Sequence, residues 1–326
     1  MKREKELIYR IADPDNIRLA YLKARKGKEY KPEVIEFTQN LGKNIKSLYY
    51  GFLKNDLKIG NYNYFTIYDP KERVICAAAF NERVMQHAIM NVCHDNFDRY
   101  QIFDSYACRK DKGTYAAIDR AKYYARNYKW YLKLDVRKYF NSIDHKVLYK
   151  LLEKRFKDEY LLLIFHKIIE SYETDAGKGI PIGNLTSQYF ANHYLGQADH
   201  HLLENIGIDG YVRYMDDMVL WGNDKEELLR KGREFIKWIE DNLLLNLKPV
   251  ILNRSSLGLS FLGYKIYPNN MKLTQISKRR FIKKFIAYEA NLNSKKWSQK
   301  EYQDHILPLL SFVQKADTQN LRKMLL

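Results

Sequence analysis

The hydrophobic pattern changes its period several times along the chain and predicts a mixture of helices and short strands. Residues 1 to about 60 have helical spacing, and Pro14 and Pro32 mark expected helix starts because proline is favoured in the first turn. Apolar and aromatic residues alternate over residues 61–76, with a break at Asp69-Pro70. This alternation predicts a hairpin with a basic tip.

The rest of the chain alternates between the two periods. Helical spacing covers four segments, namely residues 77–100, 145–170, 185–205 and 224–246. Short apolar runs predict a strand at 130–136, two strands around a polar turn at 210–222, and a last strand pair at 257–267. A Gly/Pro loop occupies 177–183, and Asn184 is a plausible cap for the helix that follows it. The tail from residue 275 predicts a small basic helical unit.

Composition and charge narrow the class of protein. The chain has 326 residues, 46% of them hydrophobic, and 56 Lys+Arg against 39 Asp+Glu give a formal net charge of +17. Such a chain can bury a core, so it is not a disordered polycation, and its field suits a polyanion such as nucleic acid. A basic surface that serves solubility is the alternative.

The expected location follows from segments that the sequence lacks. No apolar run approaches the roughly 18 residues of a membrane span, and the N-terminus shows no apolar signal core. The three cysteines show no CxxC spacing, which argues against a disulfide framework or a zinc knuckle. We therefore expect a cytoplasmic protein without a membrane partner.

Three acidic residues lie in apolar surroundings, which is unusual in so basic a chain. Asp216 and Asp217 occupy the turn predicted within 210–222, and Asp135 ends the strand predicted at 130–136. Adjacent carboxylates repel each other unless a cation neutralises them. If the two strands are neighbours in one sheet, the carboxylates converge and suit two Mg²⁺ or Mn²⁺ ions about 4 Å apart. An ordinary turn and a helix cap are the alternatives.

Six segments resemble, in order, the sequence blocks of reverse transcriptases. Tyr214-Met215-Asp216-Asp217 resembles their YxDD motif, Leu134–His145 their first catalytic motif, and Phe261–Tyr264 the strand motif that supports the primer. Further blocks are Asn81–Ile89, Ser105–Ile118 and Gly179–Leu195. The resemblance implies an α/β (α+β) right-hand polymerase with fingers, an antiparallel-sheet palm and a short helical thumb.

The resemblance also implies domain boundaries. The fingers would comprise residues 1–104, with the N-terminal helices and the basic hairpin, and 147–183. The palm would comprise 105–146 and 184–272, the latter with the YMDD hairpin, and the thumb would be 273–326. No nuclease signature follows the thumb segment, so we expect no nuclease domain.

The block Gly179–Leu195, the fourth along the chain, indicates a subtype. Most bacterial reverse transcriptases carry Pro-Gln-Gly and Ser-Pro there, whereas this chain has Pro181-Ile182-Gly183 and Ser187-Gln188. With the segment Ser105–Thr114, this form is similar to the reverse transcriptases of diversity-generating retroelements, in the lineage of group II introns. The resemblance implies cDNA synthesis from a template-repeat RNA with errors at adenine, in mutagenic retrohoming.

The same resemblance implies the partners. These are template RNA, the RNA/DNA hybrid, deoxynucleoside triphosphates and a small basic accessory variability protein. Two alternatives remain: a bacterial reverse transcriptase of retron, group II intron or phage-defence type, or a catalytically silent RNA-binding scaffold. The complete set of three acidic residues argues against the scaffold.

Roles for single residues follow from the family pattern. Asp135, Asp216 and Asp217, with the backbone carbonyl of Val136, are implied to be catalytic and to bind two Mg²⁺ ions, for which Mn²⁺ can substitute. Asp217 is expected to be the weakest ligand. The ions would align the primer 3′ hydroxyl with the α-phosphate and neutralise the developing charge.

A second set is implied to contact the incoming nucleotide: Lys71, Arg73, Arg109, Phe140, Ile182, Gln188 and Lys248. The ring of Phe140 would exclude a ribose 2′-OH, with Tyr139 in the core instead, and core packing of Phe140 is the alternative. Ile182 replaces the usual Gln and cannot hydrogen-bond. We therefore expect looser positioning of the new base pair and lower fidelity, with Gln188 as a plausible compensating group.

The basic members of this set have competing interpretations. Lys71 and Arg73 would cover the triphosphate, unless the hairpin is simply solvated. Arg109 could contact nucleotide or template. Lys248 could protonate the leaving pyrophosphate, although a surface lysine is the simpler interpretation.

A third set is implied to contact primer and template: Tyr214, Met215, Gly263, Lys278, Arg279, Arg280 and Lys283. The last four belong to the basic tail, which resembles a thumb helix lying along the minor groove of an RNA/DNA hybrid. A solvated amphipathic helix is the alternative.

Overall fold

The computed structural model describes residues 6–68 and 72–325 and contains both helices and antiparallel sheets, as predicted. The chain divides into two compact units. The first comprises Met1–Phe103, Asp135–Gly207 and Glu234–Lys248, and the second comprises Asp104–Leu134, Ile208–Arg233 and Pro249–Leu326. The assignment of segments to fingers, palm and thumb stays a prediction. Among the described residues, no helix is long and apolar enough to cross a membrane.

The first unit begins with four helices: α1 (Leu7–Ala12), α2 (Pro14–Arg25), α3 (Pro32–Gln39) and α4 (Leu41–Leu53). Proline opens α2 and α3, which confirms both predicted helix starts. The ring fixes φ and removes an N–H that would lack an intrahelical partner in the first turn. The Asp13 carboxylate caps α2, because it accepts a hydrogen bond from the backbone nitrogen of Asp15 at 2.8 Å.

The predicted hairpin follows these helices. Strands β1 (Tyr62–Ile67) and β2 (Arg73–Ala78) pair in antiparallel register, which confirms the predicted strand pair. The predicted tip at Asp69-Pro70 lies outside the described residues. Helix α5 (Phe80–Asp98) comes next and buries Val84, Ala88 and Met90, whereas Val92 is only half-buried.

The other helices of the first unit are α7 (Tyr139–Ser142), α8 (His145–Arg155), α9 (Glu159–Glu170) and α10 (Leu185–His201), which runs into a π-helical turn at Leu202–Ile206. The helical segment predicted at 145–170 is confirmed, but it is divided after Arg155. Buried Asp158 explains the division: its carboxylate caps α9 by accepting from the nitrogen of Leu161 at 3.0 Å and also accepts from that of Ile8 at 2.8 Å. A side chain with both tasks stands outside a helix.

The second unit has a four-stranded sheet in the order β4-β5-β3-β6. Its strands are β3 (Trp130–Asp135), of which the last residue is counted with the first unit, β4 (Gly210–Tyr214), β5 (Asp217–Gly222) and β6 (Ile251–Arg254). The pairs β4/β5 and β3/β6 are antiparallel. Helix α6 (Thr114–Asn127) precedes β3. Helix α11 (Lys225–Leu243) follows β5, and its residues from Glu234 onward are counted with the first unit.

A smaller sheet and the C-terminal helices complete the second unit. Strands β7 (Leu259–Phe261), β8 (Tyr264–Ile266) and β9 (Met271–Leu273) form an antiparallel sheet in that order. Helices α12 (Gln275–Asn293), α13 (Gln299–Gln314) and α14 (Gln319–Lys323) confirm the predicted helical tail. Sequence reasoning did not predict α6, β6 or β9. The two strands are short and do not flank a two-residue turn like the one at Leu262-Gly263, which marks the equally short pair β7 and β8.

Two hydrophobic clusters stabilise the second unit. The larger joins α6 to both sheets through Ile118, Trp221 and Tyr264, among other buried side chains. The smaller lies among the C-terminal helices and contains Phe281, Phe285, Ile306 and Val313. Burial of such side chains provides the main driving force for folding.

Gly183 lies where the Gly/Pro loop meets β2. Its φ is +116°, and a Cβ there would lie 2.7 Å from Cγ2 of Ile75 and 3.3 Å from the carbonyl oxygen of Cys76. Both the backbone angle and the space therefore require glycine.

We expect Gly183→Ala to lower the free energy of unfolding by about 2–3 kcal/mol, because backbone strain adds to steric overlap. Gly177→Ala is the matched control: φ is +70° there, but no atom lies within 4 Å of the added Cβ. The control should lose only about 1 kcal/mol, from the backbone alone. Urea unfolding of both variants gives the comparison, and equal losses would show that the approach to β2 is not the constraint.

Candidate active site

The Asp216-Asp217 pair is presented by a tight hairpin. Tyr214 pairs with Asp217 across β4 and β5, so the loop between them consists of Met215 and Asp216. Met215 has φ +56°, which costs an ordinary L-residue about 1–2 kcal/mol. Strain of this kind persists where surrounding contacts hold it, and it often marks functional sites.

Arg213 supplies one of those contacts. It is fully buried, and its guanidinium donates a hydrogen bond to the carbonyl oxygen of Met215 at 3.1 Å. Its backbone nitrogen donates to the oxygen of Asp104 at 2.9 Å, and its backbone oxygen accepts from the nitrogen of Tyr106 at 3.0 Å. The Tyr214 hydroxyl accepts from the Thr114 hydroxyl at 3.1 Å. Asp104 and the family block Ser105–Ile118 that follows it thus support the turn from β4.

Lys133 holds the second aspartate of the pair. Its Nζ lies 3.0 Å from Oδ1 of Asp217 and donates to Oδ2 at 3.2 Å. The same ammonium donates to the carbonyl oxygen of Ser260 at 2.9 Å and lies 5.8 Å from the ring centroid of Phe261. Lys133 therefore connects the turn to β7.

Asp135 has its own lysine within the first unit. Nζ of Lys248 donates to both carboxylate oxygens of Asp135 at 2.8 Å, and the backbone nitrogen of Lys248 donates to the backbone oxygen of Asp135, also at 2.8 Å. The next residue, buried Val136, forms an isolated antiparallel bridge with Leu247. Lys248 is thus a partner of the predicted catalytic carboxylate and not an isolated surface lysine.

The Gly/Pro loop brings together several residues predicted to contact nucleotide. The Ile182 carbonyl accepts from the nitrogen of Cys76 on β2 at 2.8 Å, and the Phe140 carbonyl accepts from the nitrogen of Ile180 at 2.9 Å. Phe140 is half-buried, whereas Tyr139 is buried and donates its hydroxyl to Ala191, as expected for a core residue. Phe140 and Ile182 are therefore attached to one loop by backbone bonds.

The other residues predicted to contact nucleotide form no backbone bond with this loop among the contacts described for them. Arg73 is exposed at the start of β2, and Gln188 is half-buried on α10. Arg109 donates to the carbonyl oxygen of Ser105 at 3.0 Å, within its own loop. Lys71 lies outside the described residues.

Buried polar groups hold both ends of the β1–β2 hairpin in place. Burial raises the pKa of Glu82 to about 7, and its carboxyl accepts from the nitrogen of Gly60, just before β1, at 3.1 Å. The predicted capping by Asn184 is wrong in its detail: the residue stands at the N-cap of α10, but its side chain accepts from the nitrogen of Ala78 at 3.3 Å. That bond ties the end of β2 to the start of α10.

The predicted primer motif forms a second tight hairpin. Leu262 and Gly263 have φ +48° and +89° between the paired residues Phe261 and Tyr264, which is the type I′ pattern favoured in two-residue loops. The Gly263 oxygen accepts from the nitrogen of Thr274, immediately before α12. On α12, Lys278, Arg279 and Lys283 are exposed and Arg280 is half-buried.

Cation partners of the carboxylates are what sequence reasoning missed. Within residues 6–68 and 72–325, no three His, Cys, Asp or Glu side chains are grouped closely enough to hold a metal ion. Lys133 and Lys248 lie beside Asp217 and Asp135 instead. The available signal was weak: Lys133 precedes Asp135 by two residues, on the same face of its strand.

The ion pair of Lys133 and Asp217 should couple measurably. The two side chains are 19% and 25% exposed, against 42% and 34% for Lys248 and Asp135, so solvent screens the first pair less. A double-mutant cycle of Lys133→Met and Asp217→Asn, measured by unfolding without divalent ions, should give about 1 kcal/mol. The corresponding cycle for the more exposed pair should give about 0.5 kcal/mol or less. The reverse order would contradict this ranking of the two contacts.

Comparison of the sequence with known proteins identifies a family and several relatives. The family model for reverse transcriptase (RNA-dependent DNA polymerase) matches residues 65–266, which is more than half of the chain. The COX1/OXI3 intron 2 protein of Saccharomyces cerevisiae is 24% identical, and the alignment covers 83% of this chain and 36% of that protein. Protein YkfC of Escherichia coli K12 is 24% identical, with 56% of this chain and 50% of that protein covered. The chain thus spans about a third to a half of these relatives.

A solved structure shows a similar fold. The apo telomerase of Candida tropicalis aligns with a TM-score of 0.51 at 12% identity and covers 68% of this chain and 48% of that chain. This likeness supports the mixed α/β fold with antiparallel sheets. The family match extends from the β1–β2 hairpin through the Asp216-Asp217 turn to the end of β8. The chain belongs to the reverse transcriptase family of RNA-dependent DNA polymerases.

Proposed function

We propose that this chain is an RNA-directed DNA polymerase of the diversity-generating retroelement type, which copies a template-repeat RNA into cDNA with errors at adenine. The observation that carries the polymerase assignment is the Asp216-Asp217 turn, which begins β5 next to the strand that ends at Asp135. Family membership supports RNA as the template. The form of the Gly/Pro loop around Ile182 supports the subtype.

The donor chemistry fits a divalent metal. We propose that Asp135 and Asp216, with the Val136 carbonyl and more weakly Asp217, hold two Mg²⁺ ions, since all the donors are hard oxygens. Each lysine ammonium already provides a positive charge at a carboxylate of this set. When bound, the metal would supply activation of the primer hydroxyl and stabilisation of the leaving oxygen.

The lysines of the site have separate roles in this proposal. Lys248 orients Asp135 through both carboxylate oxygens and can protonate the leaving pyrophosphate. Lys133 holds Asp217 against β7, which agrees with Asp217 as the weakest ligand. Asp217 is thus paired with a strand lysine that also binds β7.

Nucleotide selection falls to the Gly/Pro loop. The Phe140 ring, anchored through its backbone to Ile180, would exclude a ribose 2′-OH. Ile182 presents an apolar side chain while its backbone is fixed to β2, so it offers the new base pair contact without a hydrogen bond. Arg73 would contact the triphosphate from the adjoining strand.

The C-terminal helices would hold the hybrid. Lys278, Arg279 and Lys283 are exposed on α12, where they can contact phosphates of an RNA/DNA duplex. Gly263 and Tyr214 belong to the hairpins that would face the primer end. A small basic accessory variability protein remains part of the proposed system.

Replacement of Asp216 tests the polymerase assignment. We expect Asp216→Ala to reduce primer extension on poly(rA)/oligo(dT) by at least about a hundredfold, because the variant loses a ligand of the metal ions that would stabilise the developing charge. Asp241→Ala removes an exposed carboxylate of α11 and should leave the rate unchanged. Absence of extension by the parent protein would favour an RNA-binding scaffold.

Replacement of Ile182 tests the fidelity proposal. Ile182→Gln restores a hydrogen-bonding side chain and should reduce misincorporation opposite adenine about fivefold, the equivalent of one hydrogen bond. The bond from Cys76 uses the backbone of residue 182, so the fold should tolerate the change. Ile182→Leu, which stays apolar, is the matched control. Unchanged misincorporation by the Gln variant would remove Ile182 from this account.

The neighbouring DNA distinguishes the subtype. A nearby pair of imperfect repeats that differ at adenines would support a diversity-generating retroelement. Their absence would favour a reverse transcriptase of retron, group II intron or phage-defence type.

A further inference from the structure

A cavity opens at the end of the four-stranded sheet that lies away from the Asp216-Asp217 turn. It has a volume of about 650 Å³, within the usual range for ligand pockets. Its lining comes from the end of α6, the start of β3, the residue after β5 and the end of β6, and it includes Arg126, Lys129, Trp130, Asn223, Arg254 and Ser255. All of these belong to the second unit.

Two contacts fix the position of this cavity on the sheet. Lys133 on β3 reaches Asp217 at the start of β5, whereas the Lys129 nitrogen donates to the side chain of Asn223, just beyond the end of β5, at 3.2 Å. Strand β5 has 6 residues, so the cavity and the turn are about 20 Å apart. The cavity is therefore distinct from the candidate active site.

The lining is basic and has no acidic member. Arg126, Lys129 and Arg254 are exposed, and within the described part of the chain no carboxylate forms an ion pair with them. Nε of Arg126 donates to the carbonyl oxygen of Pro268 at 2.7 Å, which orients its guanidinium. Three like charges held together without an acid favour an anionic ligand.

An aromatic ring accompanies these charges. Trp130 pairs with Arg254 across β3 and β6, and the guanidinium carbon lies 5.2 Å from the ring centroid. Lys225, which is 3.7 Å from Glu226, lies over the same ring at 5.9 Å. Positive side chains around an aromatic ring are the usual means of binding unpaired nucleotides.

A buried hydroxyl adds a further polar group. Ser255 lines the cavity, is only 2% exposed, and its hydroxyl has no hydrogen-bond partner among the described residues. Its backbone nitrogen is bound to the oxygen of Lys129 at 2.8 Å, so the residue is fixed in place. A phosphate oxygen would satisfy a hydroxyl that is otherwise costly to bury.

We propose that this cavity binds single-stranded RNA, with its phosphodiester groups on Arg126, Lys129 and Arg254 and a base at Trp130. The bound segment is template RNA outside the hybrid, so this part rests on the proposed use of an RNA template. At an axial rise of about 3.4 Å per nucleotide, about six nucleotides cover the distance from the turn. The site retains the template while the active site copies it.

The double variant Arg126→Gln/Arg254→Gln tests the proposal. Its affinity for an unstructured RNA of about 30 nucleotides should fall about tenfold, and the slope of log K against log salt should fall by about 1.4, since each lost contact to a single strand removes about 0.7. Lys272→Gln/Lys323→Gln makes the same charge change at two exposed lysines of the second unit and is the matched control. Equal losses in both variants would reduce the effect to general charge and overturn the site.

Lys129→Gln covers the case in which the double variant folds poorly. The Lys129 side chain forms no hydrogen bond or ion pair among the described residues, and its backbone bonds remain. This variant should lose about half of the slope change seen in the double variant. RNA binding and salt slope equal to those of the parent would contradict the proposal.

Further arms separate other ligands and the catalytic site. Primer extension on a template with an overhang of about three nucleotides, too short to reach the cavity, should proceed at the parental rate in the double variant. If the variant loses binding of inorganic phosphate or adenosine monophosphate but keeps RNA, the cavity is a free-phosphate site and the RNA assignment is wrong. Loss of acidic-peptide binding alone would indicate a protein partner. Failure of extension in every variant and the parent would overturn the polymerase proposal but leave the RNA-binding result intact.

Discussion

Repulsion between neighbouring carboxylates is the constraint on which the candidate site depends. Asp216 and Asp217 are adjacent at a two-residue turn, and the turn itself requires a left-handed Met215. Lys133 forms an ion pair with Asp217 and so reduces the repulsion between the two carboxylates. The buried guanidinium of Arg213 donates a hydrogen bond to the carbonyl oxygen of Met215 and so stabilises the strained backbone. Lys133 also binds β7, and the backbone of Arg213 also binds residues 104 and 106. The turn is therefore held from both sides of its hairpin.

The Gly/Pro loop has a similar organising role in the first unit. It runs against β2 closely enough to require glycine at position 183, and its backbone also binds that of Phe140. The side chains of Phe140 and Ile182 are left available because the backbone makes the structural contacts. A loop built in this way can change its side chains at little cost in stability.

The distribution of charge extends the same logic to the surface. A net charge of +17 would attract any polyanion, but the basic residues that produce it lie in different surroundings. Lys133 and Lys248 are paired with the candidate catalytic carboxylates. Arg126, Lys129 and Arg254 surround a cavity at the other end of the sheet, and the exposed cations of α12 lie beyond β9. The first group neutralises carboxylates, whereas the other two leave positive charge exposed at the surface.

The sequence by itself determined the family blocks, the β1–β2 hairpin, the proline-started helices and the candidate acidic residues, because these depend on local periodicity, turn chemistry and residue type. It did not predict β6 and β9, which are short and, unlike β7 and β8, do not flank a tight turn, or the contact of Asn184 with Ala78 in place of a helix cap. Only the tertiary structure decided that Lys133 binds Asp217, that Arg213 supports Met215, and that Trp130 lies beside Arg254. Lys133 and Asp217, like Trp130 and Arg254, come from strands far apart in sequence, and only the pairing of the strands brings their side chains together. Arg213 is only two residues from Met215, but its guanidinium reaches the turn because the folded chain buries it there.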